Sequence, residues 1–522
     1  MSPDPDPSAH GLAWVALFAA IVVCMLMPSD QSLWIDEAGT ALFAEPPSLA
    51  AWWSALRGWI DSERLMPLAM FTTWLGAQML GAGEWALRAI NLLWAWSAVV
   101  AFARIGKVRG LWWLPLLLVV QPFLWFYVNE ARPYAMQIAA GAWLLAALVT
   151  CREERGESPQ CWVPHFAIAS VVLAGSSLLG AVLLAPFWGV LAFHYLRLQR
   201  WPRGRTRAWL GGSLAALLLL AGYYGWSLAA GAGAAKVWQL SPASIGFAGY
   251  QFLGFGGLGP ERAALRELGR GGAGHLLAGL KPYALPLGAL AAAYAPALLR
   301  PLGRADRRSR LLEICALPLG LVTAGFALVL ALAFIVGFTF WDRHVAALFP
   351  ALVYACAEVL RAGSRPFRLL PAAAGLLLGA LLLTSSAQLR WNPRHGHDDY
   401  RSAAFTAATA TAAGQRVWWV ANDRPAHYYE LPLTADPQDT AKPLHIVAFL
   451  DAHPGATLDP LPAPALIVVS KLDLHDRAGA VAGYLAAHGY EVAETFPSFR
   501  IYRAQNLEDR TSNTQHPTPN IQ

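Results

Sequence analysis

Residues 311–338 read LLEICALPLGLVTAGFALVLALAFIVGF and contain one charged side chain, Glu313. A helix needs about 20 mostly apolar residues to cross the ~30 Å hydrocarbon core of a bilayer, and this stretch exceeds that length. The whole chain has the same character, because 56% of its 522 residues are hydrophobic and only 14% are charged. Such a composition excludes an ordinary soluble domain and predicts a polytopic membrane protein built of helices.

Blocks of similar apolar character recur along the chain, and each is predicted to be a transmembrane helix. About eleven are counted in this way, at 11–28, 88–103, 111–128, 134–150, 163–178, 179–196, 208–229, 277–298, 311–338, 344–360 and 369–387. The first block has no basic leader and no A-x-A cleavage site. It is therefore predicted to be a retained span and not a signal peptide.

The basic residues predict the orientation of these spans. The net charge of +6 would suit a nucleic-acid partner, but the basic residues lie in short loops between apolar blocks. They are Arg104, Lys107, Arg109, Arg197, Arg200, Arg203, Arg205, Arg207, Arg300, Arg304, Arg307, Arg308, Arg310, Arg361, Arg365 and Arg368. These are every second loop, as expected of cytoplasmic loops. We therefore expect no nucleic-acid partner and a cytoplasmic N-terminus in a membrane, with 30–87, 129–133, 230–276, 339–343 and the chain after about 388 outside.

Three domains are predicted. Residues 1–387 form the membrane domain, and its first external loop, 30–87, holds two segments, Met66–Leu80 and Trp52–Trp59, that are too short to span and are predicted to lie along the interface. The segment 230–276 is a Gly-rich external loop, 388–504 a small extracytoplasmic α/β domain and 505–522 a disordered tail. In the α/β domain, helices are predicted at Asp398–Ala413 and Asp476–His488, and strands at Arg416–Ala421, His445–Leu450, Ala465–Lys471, Glu491–Phe496 and Phe499–Arg503.

Four polar clusters fall at the predicted outer ends of the spans. They are Asp36-Glu37, Glu84 with Arg88, Asn129–Tyr134 and Trp341–His344. A carboxylate can act as general base toward an acceptor hydroxyl. Arginines can hold a phosphate and stabilise it as a leaving group. The combination at a membrane boundary suggests transfer of a sugar from a lipid-linked phosphate.

Short motifs within these clusters resemble the GT-C glycosyltransferases, and in particular glycosyltransferase family 39, which includes protein O-mannosyltransferases and the aminoarabinose transferase of lipid A. Trp34–Ala38 (WIDEA) is similar to the acidic motif of the family's first external loop. The other similar stretches are Leu80–Arg88 (LGAGEWALR) to FG-x-x-E-x-A-x-R, Asn129–Ala135 (NEARPYA) to EARPYA, Arg343–Pro350 to RY…LP, and Asp399–Ala404 (DYRSAA) to DYRAAA. One departure is Arg64–Leu68 (RLMPL), where relatives usually carry HPPLY.

The resemblance implies a GT-C fold and an inverting transfer of a hexose or pentose. The donor would be a polyprenyl-phosphate-linked sugar, and the acceptor an envelope lipid, glycan or protein. Asp36 would be the catalytic base, and Glu37 would support it or bind the acceptor. The substrate-binding set would be Arg132 and Arg343 on the donor phosphate, Glu130 orienting Arg132, and Tyr134, with Arg88, Arg64 and Lys236 as further candidates. No organic cofactor or metal motif is implied, and a metal requirement stays open.

Simpler readings stand beside these roles. Asp36 and Glu37 could be solvated caps of an interfacial helix, the arginines could be anchors that snorkel to the headgroups, and Glu84 with Arg88 could be an ordinary i, i+4 pair. The run His395–Asp399 resembles metal ligands but also suits a polar junction. Two other functions remain open: a transporter or flippase of lipid-linked glycans, which often shows mid-membrane charges and internal repeats, and a glycan polymerase or ligase.

Overall fold

The computed structural model describes residues 7–153, 161–198, 203–233, 242–259, 272–288, 291, 305–338, 340–363, 369–433, 444–446, 458, 462–476 and 479–504. Lys236, the tail 505–522 and the later part of the predicted span 277–298 lie outside the described residues. The chain forms two compact units. The first unit contains Met1–Ser29 and Phe43–His395, and the second contains Asp30–Leu42 and Gly396–Gln522.

Helices dominate the first unit. Together with α2 of the second unit, they are α1 (Pro7–Cys24), α2 (Ile35–Leu42), α3 (Leu49–Gly58), α4 (Pro67–Leu80), α5 (Glu84–Arg109), α6 (Leu114–Val119), α7 (Pro122–Val128), α8 (Tyr134–Glu153), α9 (Trp162–Ser176), α10 (Leu178–Leu198), α11 (Gly204–Ala229), α12 (Pro242–Phe252), α13 (Gly272–Leu280), α14 (Ala305–Val336), α15 (Phe349–Gly363) and α16 (Leu369–Trp391). The helix α12 lies inside the segment predicted to be a Gly-rich loop. A one-turn 3-10 helix, Ser62–Leu65, precedes α4, and a longer one, Asp342–Leu348, precedes α15.

Six stretches in the described part of the chain are long and apolar enough to cross a membrane. They are Glu84–Arg109, Tyr134–Glu153, Leu178–Arg197, Gly204–Ala229, Cys315–Val336 and Asp342–Arg361. The prediction of a multi-pass helical membrane protein is therefore confirmed, while the number of spans stays a prediction. The helices α3 and α4 lie where the two interfacial segments are predicted, and α4 packs against α5 and α9.

The helix α8 is the central helix of the first unit, because 94% of the residues in its most apolar stretch are buried. Gly141 allows it to touch the 3-10 helix Asp342–Leu348 at backbone distance. A Cβ atom at Gly141 would stand 2.0 Å from the carbonyl oxygen of Ala347. Small residues permit such close helix contacts in membrane proteins. The 3-10 helix Asp342–Leu348 therefore packs directly against α8.

The predicted span 111–128 is two short helices, α6 and α7, because of a proline. Pro122 has no N–H and disfavours helical backbone at the residue before it, and Gln121 is extended with ψ 122°. The break frees carbonyl groups that need partners in an apolar surrounding. Ser386 Oγ donates to the Val120 oxygen at 3.0 Å, and Trp125 Nε1 donates to the Val119 oxygen at 2.6 Å.

The second unit contains a five-stranded mixed sheet of order β2-β1-β3-β5-β4. The strands are β1 (Val417–Val420), β2 (Leu444–Ile446), β3 (Leu466–Ser470), β4 (Tyr490–Phe496) and β5 (Phe499–Ala504). The pairs β1–β2 and β1–β3 are parallel, and β3–β5 and β4–β5 are antiparallel. Side chains alternate between the two faces with period two. Trp419 packs with the helix Tyr400–Ala412 on one face, and Trp418 packs with the helix Ala480–Ala487 on the other.

The unit boundaries differ from the predicted domain boundaries at one functionally relevant place. The acidic motif lies in the predicted membrane domain 1–387, but the structure groups Asp30–Leu42 with the residues from Gly396 onward. Ile35 explains part of this grouping, since it packs on the hydrophobic core formed by the sheet and the helix Tyr400–Ala412.

Candidate functional site

The first unit buries charged side chains near the start of α5, the turn between α7 and α8, and the two 3-10 helices. They are Glu63, Arg64, Arg88, Glu130, Arg132 and Asp342, all at most 5% exposed. We call these six residues the arginine cluster. A charge removed from water is costly unless it is paired and hydrogen-bonded. The partners of each side chain therefore indicate what the cluster is built to do.

Arg132 forms a buried ion pair with Glu63. Its NH1 atom donates to Glu63 Oε1 at 2.9 Å, and the two side chains are 2% and 1% exposed. Glu63 also accepts hydrogen bonds from Trp59 Nε1 at 3.0 Å and from Ser62 Oγ at 3.3 Å. Arg132 itself lies in a tight turn, because its backbone N–H donates to the Glu130 oxygen at 2.7 Å. The pair joins the loop before α4 to the turn before α8.

Arg64, the neighbour of Glu63, is 3% exposed and has neutral partners. Its NH1 atom donates to the Trp59 carbonyl at 3.3 Å, and its guanidinium lies 4.3 Å from the centre of the Trp226 ring. Tyr223 holds the backbone of Arg64 by donating to its carbonyl at 2.8 Å. Within the described residues, Arg64 forms no ion pair, and its Nε has no hydrogen-bond partner. In the part of the chain that the structure describes, no anion compensates this buried cation.

Arg88 and Asn91 lie near one another on α5 and hold the surrounding backbone. Arg88 is fully buried and donates from NH1 to the Ser29 carbonyl at 3.0 Å. Ser29 in turn donates its N–H to Asn129 Oδ1 at 2.7 Å. Asn91 Nδ2 donates to the carbonyls of Val128 and Glu130, at 3.2 and 2.5 Å. These contacts fix the turn that carries Glu130 and Arg132.

The 3-10 helix Asp342–Leu348 contributes the next group. Asp342 is 1% exposed and accepts a hydrogen bond from the Tyr127 hydroxyl at 2.8 Å. The ring of Tyr127 packs edge-on against Tyr134, with centroids 4.9 Å apart. Arg343 follows Asp342 and is half-buried. Its guanidinium is thus more accessible than those of Arg88, Arg64 and Arg132.

The acidic motif belongs to the second unit. Asp36 and Glu37 lie in the first turn of α2, where carboxylates interact favourably with the helix dipole. Asp36 is half-buried, whereas Glu37 is fully buried. His397 Nδ1 lies 3.5 Å from Glu37 Oε2. The two adjacent carboxylates therefore have different environments, one half-buried and one fully buried beside a histidine.

Three polar side chains of the run His395–Asp399 have protein partners within their own units. His395 Nε2 accepts a hydrogen bond from Arg394 at 3.0 Å, and burial together with the Arg394 charge lowers the pKa of His395 to about 4. Asp398 pairs with Lys471 and accepts a hydrogen bond from Ser498 Oγ at 2.6 Å. Asp399 caps the helix Tyr400–Ala412 by accepting from the Ser402 N–H at 3.0 Å. Across the residues that the structure describes, no group of three or more metal-ligating side chains occurs.

The structure thus brings several predicted residues together and adds others. Arg64, Arg88, Glu130 and Arg132 belong to one buried cluster, and Tyr134 and Arg343 belong to the same unit. Asp36 and Glu37 belong to the second unit. Sequence reasoning missed Glu63 and Asn91, and it named Asp342 and His397 only within the polar runs Trp341–His344 and His395–Asp399. Asn91 lies three residues after Arg88, on the same helix face, and this spacing was the one available signal.

No protein-family model matches the chain, and no curated protein matches it. Solved structures with similarity to it are of one class, the GT-C glycosyltransferases. One is ArnT from Cupriavidus metallidurans in the apo state, 15% identical with a TM-score of 0.41, covering 95% of this chain and 98% of that one. The same protein bound to undecaprenyl phosphate is 14% identical with a TM-score of 0.43, covering 94% and 98%.

A further similar structure is the oligosaccharyltransferase of Archaeoglobus fulgidus in complex with zinc and sulfate. It is 12% identical with a TM-score of 0.41, covering 95% of this chain and 73% of that one. These proteins are of the class that the sequence motifs resemble. At such low identities and TM-scores, the similarity by itself carries no conclusion about the activity of this chain.

Proposed function

We propose that this chain is a GT-C-type membrane glycosyltransferase. It would transfer a hexose or pentose from a polyprenyl-phosphate-linked donor to an envelope lipid, glycan or protein, on the extracytoplasmic face of a bacterial inner membrane. The proposed orientation, with a cytoplasmic N-terminus, comes from the arginine-rich loops. No step in this proposal requires a metal.

The observation that carries the proposal is the buried charge of Arg64. Arg64 is 3% exposed, and its guanidinium contacts a carbonyl and an indole ring, neither of which neutralises it. Arg132, close by through Glu63, already has a carboxylate partner. An anionic ligand would complete the environment of Arg64, and a phosphate suits the planar donors of a guanidinium. A protein embedded in lipid receives such a phosphate most readily on a lipid carrier.

Arg343 is the second proposed phosphate contact, because it is half-buried and therefore within reach of a ligand. Arg88 is fully buried and bonded to the Ser29 carbonyl, which favours a role in shaping the site over direct contact. Tyr134 stays a proposed substrate contact at the start of α8. Glu130 stays a proposed orienting residue for Arg132, a task that Glu63 shares through its ion pair.

In the proposed reaction, the Asp36 carboxylate takes the proton of the acceptor hydroxyl while that oxygen bonds to the anomeric carbon of the sugar. The bond from this carbon to the donor phosphate oxygen breaks, and its electron pair leaves with the polyprenyl phosphate. Attack from the face opposite the phosphate inverts the configuration. The arginines stabilise the charge that grows on the leaving phosphate. Glu37 is buried beside His397, which favours support of Asp36 over acceptor binding.

The proposal is tested by mass spectrometry of envelope lipids, glycans and proteins from cells with and without the gene. We expect one acceptor class to carry the mass of one hexose or pentose only when the protein is present. Reconstitution in liposomes separates the alternatives. Movement of a lipid-linked glycan across the bilayer, with no glycosylated product in cells, would contradict the proposal and indicate a flippase.

A further inference from the structure

We propose that the C-terminal α/β unit holds the acidic motif in place, and that Tyr429 is the positioning residue at the centre of this attachment. The inference rests on the proposed function for its catalytic consequence, since it assumes that Asp36 is the base. Its structural part concerns contacts within the second unit alone. We call residues 30–42, which this unit contains together with the C-terminal residues, the acidic segment.

The Tyr429 hydroxyl contacts the backbone just before the acidic pair. It accepts a hydrogen bond from the Leu33 N–H at 2.9 Å, across 396 positions of sequence. It also lies 3.1 Å from Ser32 Oγ. The hydroxyl has one proton and two lone pairs, so it can accept from Leu33 and donate to Ser32 at the same time. One side chain thereby fixes two consecutive residues of the acidic segment.

Arg401 adds a second attachment to the same residues. Its backbone N–H donates to Ser32 Oγ at 3.0 Å, and its NH2 atom donates to the Asp30 carbonyl at 2.5 Å. Ser32 is 5% exposed, so the bonds of its hydroxyl with Tyr429 and with the Arg401 N–H are partly buried, whereas the Arg401–Asp30 bond is exposed. A buried hydrogen bond is worth more than an exposed one, because breaking it leaves a buried donor or acceptor unsatisfied. Tyr429 and Arg401 together fix the chain from Asp30 to Leu33.

The backbone around Tyr429 is itself rigid. The helix Asp423–Tyr428 ends with Glu430 in the left-handed region at φ 58°, and the Leu431 N–H donates back to the Ala426 oxygen at 2.9 Å. The Glu430 N–H donates to the His427 oxygen at 3.0 Å. This is the Schellman pattern of a helix end. Tyr429 thus projects from a fixed turn.

The attachment determines where Asp36 points. The helix α2 starts directly after the fixed residues, with its first bond from the Ala38 N–H to the Trp34 oxygen at 2.9 Å. Successive helical residues are about 100° apart around the axis. The rotation of α2 about its axis is therefore fixed by two contacts, the packing of Ile35 on the sheet core and the burial of Glu37 beside His397. In this rotation Asp36 is half-exposed. We infer that the α/β unit orients the base.

The test compares Tyr429→Phe with Tyr502→Phe in the full-length protein in detergent. Tyr502 lies on β5 and packs on the opposite face of the sheet. Tyr502→Phe is therefore the matched control, because it also removes one tyrosine hydroxyl. Hydrogen–deuterium exchange is measured on peptides covering 30–42. We expect exchange there to rise about fivefold in Tyr429→Phe, in line with the loss of one hydrogen bond, and to stay unchanged in Tyr502→Phe.

Ser32→Ala and the double variant provide a second check. If the two hydroxyls act through one attachment, the double variant exchanges far less quickly than two independent fivefold effects would give. Glycosylated product in cells should fall severalfold in Tyr429→Phe, while stabilisation of the purified protein by undecaprenyl phosphate stays as in the wild type. A variant that is only destabilised would lose both the glycosylated product and the stabilisation by undecaprenyl phosphate.

The outcomes separate this inference from the proposed function. Unchanged exchange over 30–42 in Tyr429→Phe would overturn the positioning role, whatever the activity. Raised exchange together with full activity in Asp36→Asn would leave the attachment standing and overturn the role of Asp36. Raised exchange with undiminished product in Tyr429→Phe would overturn the catalytic consequence of the attachment.

Discussion

The arginine cluster of the first unit and the acidic segment of the second unit position their charges in opposite ways. In the cluster, six charged side chains are at most 5% exposed and are held by side-chain bonds from several helices and loops. In the acidic segment, Asp36 is half-exposed, and hydrogen bonds from Tyr429 and Arg401 hold the backbone from Asp30 to Leu33. The first arrangement holds charges away from water, where pairing and hydrogen bonds must offset the cost of burial. The second leaves one carboxylate accessible at a fixed place.

This difference matches the two tasks in the proposed reaction. A leaving phosphate needs donors that are already oriented in a dry surrounding, where they act most strongly. A general base needs access to an incoming hydroxyl and freedom to take a proton. Full burial would hinder the second task, so a half-buried Asp36 on a fixed backbone suits a general base. Variants in each region test whether the contrast holds.

The largest stability effect is expected for Glu63→Gln in the arginine cluster. The change leaves the Arg132 charge without this carboxylate at a site 2% exposed. Breaking a buried pair from one side costs about 3 kcal/mol or more. The apparent melting temperature in detergent measures the loss. The control is Glu153→Gln, since Glu153 is 47% exposed in its pair with Arg109 and should cost less than about 1 kcal/mol. Equal losses in both variants would contradict the buried-pair account.

The next effect separates binding from stability. Arg64→Met keeps the apolar stem but removes a buried charge that has neutral partners in the described structure. Without ligand the variant should be at least as stable as the wild type, because the uncompensated charge is gone. Binding of undecaprenyl phosphate should weaken about tenfold, as for loss of one charge-assisted contact. Arg57→Met is the control, because Arg57 is exposed at the end of α3. Unchanged binding in Arg64→Met would remove it from the phosphate site.

The smallest effect is expected for His397→Gln, which removes the histidine beside Glu37 of the acidic segment. The Nδ1–Oε2 distance to Glu37 is 3.5 Å, longer than the 2.9 Å of the Arg132–Glu63 pair. We expect a loss of at most about 1 kcal/mol in stability and a severalfold loss of product, because Glu37 supports Asp36. His427→Gln, an exposed histidine of the same unit, is the control. A loss as large as that of Glu63→Gln would remove the contrast between the two regions.

The sequence was informative wherever composition or periodicity controls the structure. The apolar blocks predicted the helical membrane protein, and strands were predicted within about two residues of β1, β3, β4 and β5. The split of the block 111–128 follows from Pro122, whose effect was visible in the sequence but was outweighed by the hydropathy of the block. Local signals of this kind act through neighbouring residues.

The partnerships could not be predicted, because they join residues far apart in sequence. Glu63 and Arg132 are 69 positions apart, and Leu33 and Tyr429 are 396 apart. Neither Glu63 nor Tyr429 lies in a motif that resembles a family signature. Nothing local to WIDEA indicates that it packs with the C-terminal residues. Only the folded chain brings such pairs together. The first pair places opposite charges in the arginine cluster, and the second fixes the backbone of the acidic segment.

The most direct test of the central claim, that Asp36 is the base of a glycosyl transfer, is the amount of glycosylated acceptor made by Asp36→Asn at matched protein abundance. Glu45→Gln, an exposed acid of the same loop, is the control. The account predicts a fall of about 10²- to 10⁴-fold in Asp36→Asn, with folding and undecaprenyl phosphate binding retained and with full product in Glu45→Gln. Wild-type amounts of product in Asp36→Asn would contradict it.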